Sequence, residues 1–166
     1  MRIRPTLSID IPLLPAVERS AAQAFLQRPE LAWLADGEVL DETAHLAFLD
    51  HAGSWVAVDD DERPLGFLCA APAGSALHIH ELSVRQGAQG QGIGRALLDE
   101  ALRCARQRGL RQLTLTTFAQ VPWNAPFYER YGFENVSERD TRLSELLRQE
   151  QAQGLNDRCA MRLLIR

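Results

Sequence analysis

The chain has 166 residues, 46% of them apolar and 24% charged, enough for one domain that buries roughly two thirds of the surface its unfolded form exposes, and this excludes disordered, fibrous and low-complexity classes. All 18 basic residues are arginine, so a Walker-type phosphate loop, Schiff-base catalysis and pyridoxal chemistry, each of which needs a lysine, are excluded too. The net charge of −4 argues against general nucleic-acid binding, which rests on clustered cations.

Asp10 and Pro12 predict a helix start, with Leu13, Leu14, Val17, Ala21, Ala24 and Phe25 at helical spacing until Pro29. A second helix is expected from an Asp41 cap through Leu46 and Leu49 towards Gly53. Trp55 to Val58 and Leu65 to Ala71 flank a turn-rich acidic segment, 59–64, and read as a hairpin, with Leu77 to Val84 as a third strand. Ile93, Leu97, Leu98, Ala101, Leu102 and Ala105 recur at helical offsets up to a C-cap at Gly109. Leu113 to Thr116 alternates as a strand, Ala125 to Tyr131 forms a short helix ended by Gly132, and Phe133 to Val136 returns as a strand. A polar helix over Arg142 to Gln151 and a last strand over Cys159 to Ile165 complete the chain. The order predicts one α/β (α+β) domain over residues 1–166, a mixed sheet with helices on both faces.

Cys69, Cys104 and Cys159 are odd in number and lack CxxC spacing, so neither a disulfide framework nor a metal site is expected. No apolar run reaches the ~18 residues of a membrane span, and the first residues lack an apolar signal core, so a cytoplasmic setting is expected.

The sharpest local signal is Gln89-Gly90-Gln91-Gly92-Ile93-Gly94, between the third strand and the long helix. Glycines there permit positive φ and close approach of an anion to main-chain amides at the positive end of the helix dipole, and Arg95 adds a charge. Residues 85–111 carry six arginines against two acids, whereas residues 1–84 carry five against thirteen. A dinucleotide fingerprint fits poorly, because the glycines are spaced GxGxG and no acidic residue ends the following strand.

Gln89-x-x-Gly92-x-Gly94 resembles the Q/R-x-x-G-x-G/A loop of the GCN5-related N-acetyltransferases. The resemblance extends from His78-Ile79-His80-Glu81-Leu82-Ser83-Val84, which looks like that family's fourth strand, to the segment from Asn124 to Phe133. It implies the GNAT fold, a mostly antiparallel mixed sheet of about seven strands, and acetyl-CoA as co-substrate. It also implies a pyrophosphate on the amides of Gln89, Gly90, Gln91, Gly92, Ile93, Gly94 and Arg95, and a pantetheine arm along Leu82, Ser83 and Val84. Asn124 would contact the cofactor and Tyr128 would stand by its sulfur as the general acid.

The base is open between Glu81, the pair His78 and His80, whose arrangement is similar to the paired histidines of arylalkylamine acetyltransferases, and no protein base. Strict alternation puts His78 and His80 on one face and Glu81 and Ser83 on the other, unless a bulge intervenes. HExxH zinc binding fails at Val84. The first two helices, with Phe25, Trp33 and His45, are expected to form much of the acceptor wall. The implied function is transfer of an acetyl group to a primary amine in a ternary complex. The alternatives are a non-catalytic acyl-CoA-binding module and a protein or peptide N-acetyltransferase. A small-molecule amine is the expected partner, without nucleic acid or membrane. The oligomeric state is open, with a homodimer through an exposed strand or the 142–165 segment as one arrangement.

Overall fold

Prolines decide how the N-terminal helical run is cut. The computed structural model describes all of residues 1–166. It places Pro12 inside a 3-10 helix, Ser8–Leu13, and Pro15 in the first turn of α1, Leu14–Ala22, after which two more 3-10 segments follow, Gln23–Gln27 and Pro29–Asp36. The single long helix expected up to Pro29 is therefore interrupted, because each proline removes an amide donor and crowds the preceding turn. Ahead of it lies a strand that periodicity missed, β1, Arg2–Pro5, too short and too charged to show an alternation. Arg4 grips the buried Asp10 with two guanidinium bonds of 2.7 and 3.0 Å, and the Leu7 amide donates to the same carboxylate. Burial pushes the Asp10 carboxyl up, but these donors prevail and hold it below the usual range.

The remaining elements follow the predicted order. They are α2, Glu42–Asp50; β2, Ser54–Val58; β3, Pro64–Ala73; β4, Ala76–Val84; α3, Ile93–Gln107; β5, Gln112–Phe118; α4, Ala125–Tyr131; β6, Glu134–Asn135; α5, Thr141–Ala152; and β7, Arg158–Leu164. Asp41 caps α2 by accepting the Ala44 amide at 2.8 Å, and Asp140 caps α5 through the Leu143 amide at 3.0 Å. The strands form one seven-stranded mixed sheet in the order β1-β2-β3-β4-β5-β7-β6. Its β4–β5 pair is parallel and covers only Ala76–His78 against Gln112–Thr114, whereas β5 pairs antiparallel with β7 along its whole length. No helix is long and apolar enough to cross a membrane.

The chain divides into two compact units, residues 1–71 with 81–103 and residues 72–80 with 104–166. In the first, Leu14, Val17, Val56, Val58, Phe67 and Cys69 form a wholly buried cluster. In the second, Val136, Leu143 and Ala160 pack with Leu147. Along α3, Leu97, Leu98 and Ala101 are fully buried, and each leucine contributes about 1.5–3 kcal/mol by leaving water.

His45 of α2 is 0% exposed, its ring set edge-on to Phe67 at 5.0 Å, and neither ring nitrogen has a hydrogen-bond partner. It cannot line an acceptor wall, contrary to the expectation from sequence. Burial holds its pKa below the ordinary value. Stability gained by keeping it neutral is therefore full above about pH 6.5, the ordinary imidazole value, and is lost as pH falls towards the folded value. His45→Leu should raise stability by about 1 kcal/mol at pH 7, through removal of an unsatisfied buried polar ring, and by more at pH 5. Urea unfolding at the two pH values measures this, and a gain no larger at pH 5 would contradict it.

Candidate active site

In the first unit, the end of β4 runs into the glycine-rich loop through a set of local clamps. The Arg85 amide donates to the Leu65 carbonyl at 2.8 Å, its Nε to the Pro64 carbonyl at 2.9 Å, and the Gln86 amide to Ser20 Oγ at 3.0 Å. Gln89 reaches back with its side-chain amide to the Val84 carbonyl at 3.0 Å. Gly90 and Gly92 adopt φ of +76° and +82°, and a Cβ at either would meet nothing within 4 Å, so their upper faces are open. Ala96 donates to the Gly92 carbonyl at 3.0 Å as the first helical bond. The preceding amides of Ile93, Gly94 and Arg95 thus lie in the first turn of α3, which has no intrahelical acceptors and carries the positive end of the helix dipole. This is a platform suited to a phosphate group.

Close packing explains how β4 is held there. A Cβ at Gly66 of β3 would stand 2.9 Å from the Ser83 carbonyl oxygen and 3.3 Å from a Val84 methyl, so only glycine lets the backbones approach this closely. Glu81 accepts the Ser83 hydroxyl at 2.9 Å. Cys69 is buried, and burial, with Glu81 and Glu18 nearby, pushes its thiol well above the ordinary range, so it is no nucleophile.

In the second unit, His78 and His80 of β4 share a face, their rings edge-to-face at 4.9 Å. His78 Nδ1 lies 2.8 Å from Thr114 Oγ1 of β5, and the same hydroxyl accepts a bond of 3.1 Å from the Arg142 guanidinium of α5. The Thr114 hydroxyl thus bridges the His78 ring and the Arg142 guanidinium. Burial, then His80, then Arg142 push the His78 pKa down to about 3. His80 is exposed, yet the protein around it, followed by Arg142, lowers its pKa as well.

These rings and α5 line a cleft of about 600 Å³, with Thr116, Glu145, Gln149 and Arg158 among its walls. Arg158 is paired with Glu150 at 3.0 Å. Sequence reasoning missed Thr114, Arg142 and the Arg158–Glu150 pair. The available signal was an arginine in the first turn of a helix, where the dipole disfavours a cation.

Also in the second unit, the Asn124 carbonyl opens α4 by accepting the Tyr128 amide at 3.1 Å. Tyr128 is 8% exposed and packs edge-on against Phe127 and Phe133, at 5.1 and 5.5 Å. Tyr131 packs against Phe133 at 6.0 Å. In the first unit, Trp33 is 54% exposed.

The acetyltransferase (GNAT) family model matches residues 18–133. The chain belongs to this family. Among relatives of the GNAT chain, a mycothiol acetyltransferase of Beutenbergia cavernae is 30% identical over 118 residues, covering 70% of this chain and 39% of that protein. The peptidyl-lysine N-acetyltransferase YjaB of Escherichia coli is 32% identical over 88 residues, covering 53% of this chain and 54% of that protein. The GNAT chain thus spans about half or less of the length of these relatives. Its fold is similar to that of PaiA N-acetyltransferase from Thermoplasma acidophilum, solved in complex with coenzyme A, with a TM-score of 0.71, 17% identity and 98% of each chain covered.

The Thr114 bond gives the GNAT site a spectroscopic signature. Long-range ¹H–¹⁵N NMR should show His78 as a neutral ring from pH 8 to pH 5. Titration of that ring within this window would disprove the arrangement, and Thr114→Val should shift the Nδ1 resonance.

Proposed function

We propose that residues 1–166 act as one acetyl-CoA-dependent N-acetyltransferase domain, transferring the acetyl group to a primary amine by direct attack. The observation that carries this reading is the open glycine loop feeding the first turn of α3, in a chain of the GNAT family. The pyrophosphate of acetyl-CoA is held by the amides from Gln89 to Arg95, the pantetheine arm follows Leu82 to Val84, and Asn124 contributes a cofactor contact. The Val84 amide faces the thioester carbonyl, where a donor matters most as negative charge develops on the oxygen.

The acceptor nitrogen uses its lone pair to form the C–N bond, and the C–S bond breaks. The amine proton passes to His80, directly or through water, and the departing thiolate takes a proton from Tyr128. The products are an acetamide and free coenzyme A. A lysine-like amine of pKa ~10.4 lies about 4.6 kcal/mol from its neutral form at pH 7, so a proton acceptor is required. His80 is preferred to Glu81 because it lines the cleft, whereas Glu81 is not among the lining residues and accepts the Ser83 hydroxyl. His78, held by Thr114, orients its neighbour.

A thiol-release assay over small amines, polyamines, amino acids and peptides tests the activity. Tyr128→Phe should lower kcat by roughly 10²-fold, the size of a lost general acid, with coenzyme A affinity within about threefold. Unchanged turnover would remove that role. Gly92→Val should weaken coenzyme A binding in calorimetry at least tenfold, because a β-branched residue is strained at φ +82°. Binding of acetyl-CoA without turnover of any amine would instead favour the non-catalytic module.

A further inference from the structure

The cleft against α5 has an unbalanced charge. Of its two acids, Glu150 is taken by Arg158 at 3.0 Å and Glu145 by Arg148 at 2.6 Å. Arg142, by contrast, has no carboxylate within ion-pair distance; its one bond is to the neutral Thr114 hydroxyl. It stands close enough to His78 and His80 to depress both pKa values. Arg142 thus stands beside two imidazoles, and of these three groups it is the one charged at neutral pH. A guanidinium has five donors in a planar fork, and one bond at 3.1 Å leaves most of the fork for an oxyanion.

The volume, about 600 Å³, lies within the usual ~300–1,000 Å³ of small-molecule sites and exceeds the needs of a carboxylate alone, with Ile79, Leu146 and Ala73 supplying apolar wall. One unmatched cation suits a monoanion. A phosphate monoester carries about −1.5 to −2 at pH 7 and would face Glu145 and Glu150 with too little compensation.

We infer that this cleft receives the acceptor and that the acceptor is an amine bearing a carboxylate, an amino-acid-like molecule whose carboxylate is anchored by Arg142 and whose nitrogen is presented to His80. This rests on the acetyltransferase reading for its chemistry, but the anion site stands on its own geometry. Arg142 is a specificity-determining residue that acts by placing the substrate.

The test uses glycine, alanine, glutamate and phenylalanine, each beside its carboxamide, with phosphoethanolamine as the phosphate arm, in thiol-release kinetics and NMR titration. The carboxylates should exceed their carboxamides at least tenfold in kcat/KM. Arg142→Gln should remove that advantage through KM, with kcat within about twofold, and Arg142→Lys should restore part of it, with circular dichroism reporting that both variants are folded. Equal use of carboxylates and carboxamides, an advantage that survives in Arg142→Gln, or a preference for phosphoethanolamine would each overturn the inference while leaving an acetyltransferase. If no amine is turned over although acetyl-CoA binds, the enzymatic reading fails. The anion site is then decided by the titration alone. Shifts of the His80 ring with glutamate in the wild type but not in Arg142→Gln uphold it, and their absence overturns it.

Discussion

The parallel ladder between β4 and β5 lasts for three residue pairs and then stops, while β5 goes on pairing with β7. The chemistry proposed for this chain follows from that limit. A backbone amide released from a ladder must find another partner, and β4 beyond His78 is where the sequence carries both its imidazole pair and the approach to the glycine loop. Of β4, His78, Ile79 and His80 line the cleft, and the end of the strand leads the main chain towards the glycine loop.

The cleft admits arginine, glutamate and imidazole groups in a part of the fold where a helix covering a sheet normally buries apolar residues. Helix α5 buries Leu143 inward and turns Arg142, Glu145 and Gln149 towards the histidine-bearing face of β4. Water-exposed ion pairs on such a helix contribute little to stability, about 0–1 kcal/mol each, and an unpaired arginine beside two imidazoles contributes less. Its position makes sense as a property of a ligand site. The hydroxyl of Thr114 links that arginine to His78, so one side chain of β5 holds both the guanidinium and the imidazole in place.

His45 shows the opposite case. It lies on a helix whose apolar spacing is weak, and an imidazole can serve equally well at a surface or in a core, so the pattern around it says little about which. The structure sends it inward against Phe67, where it is both unsatisfied and neutral. A histidine that looked like a wall of the acceptor site is thereby a source of pH-sensitive stability.

From sequence alone came the element order after β1, the caps at Asp41 and Gly132, and the glycine loop ahead of the long helix. All of these are properties of residues within about ten positions of one another, where backbone geometry couples side chains directly. Tertiary structure decided the edge strand β1, the breaking of the first helix into short segments, the burial of His45, and the meeting of Arg142 with Thr114 across 28 positions. Periodicity reports which face of an element is apolar, but not which polar face another element will present to it. The cleft is built from that second kind of contact, and so it became visible only once β4, β5 and α5 were in place.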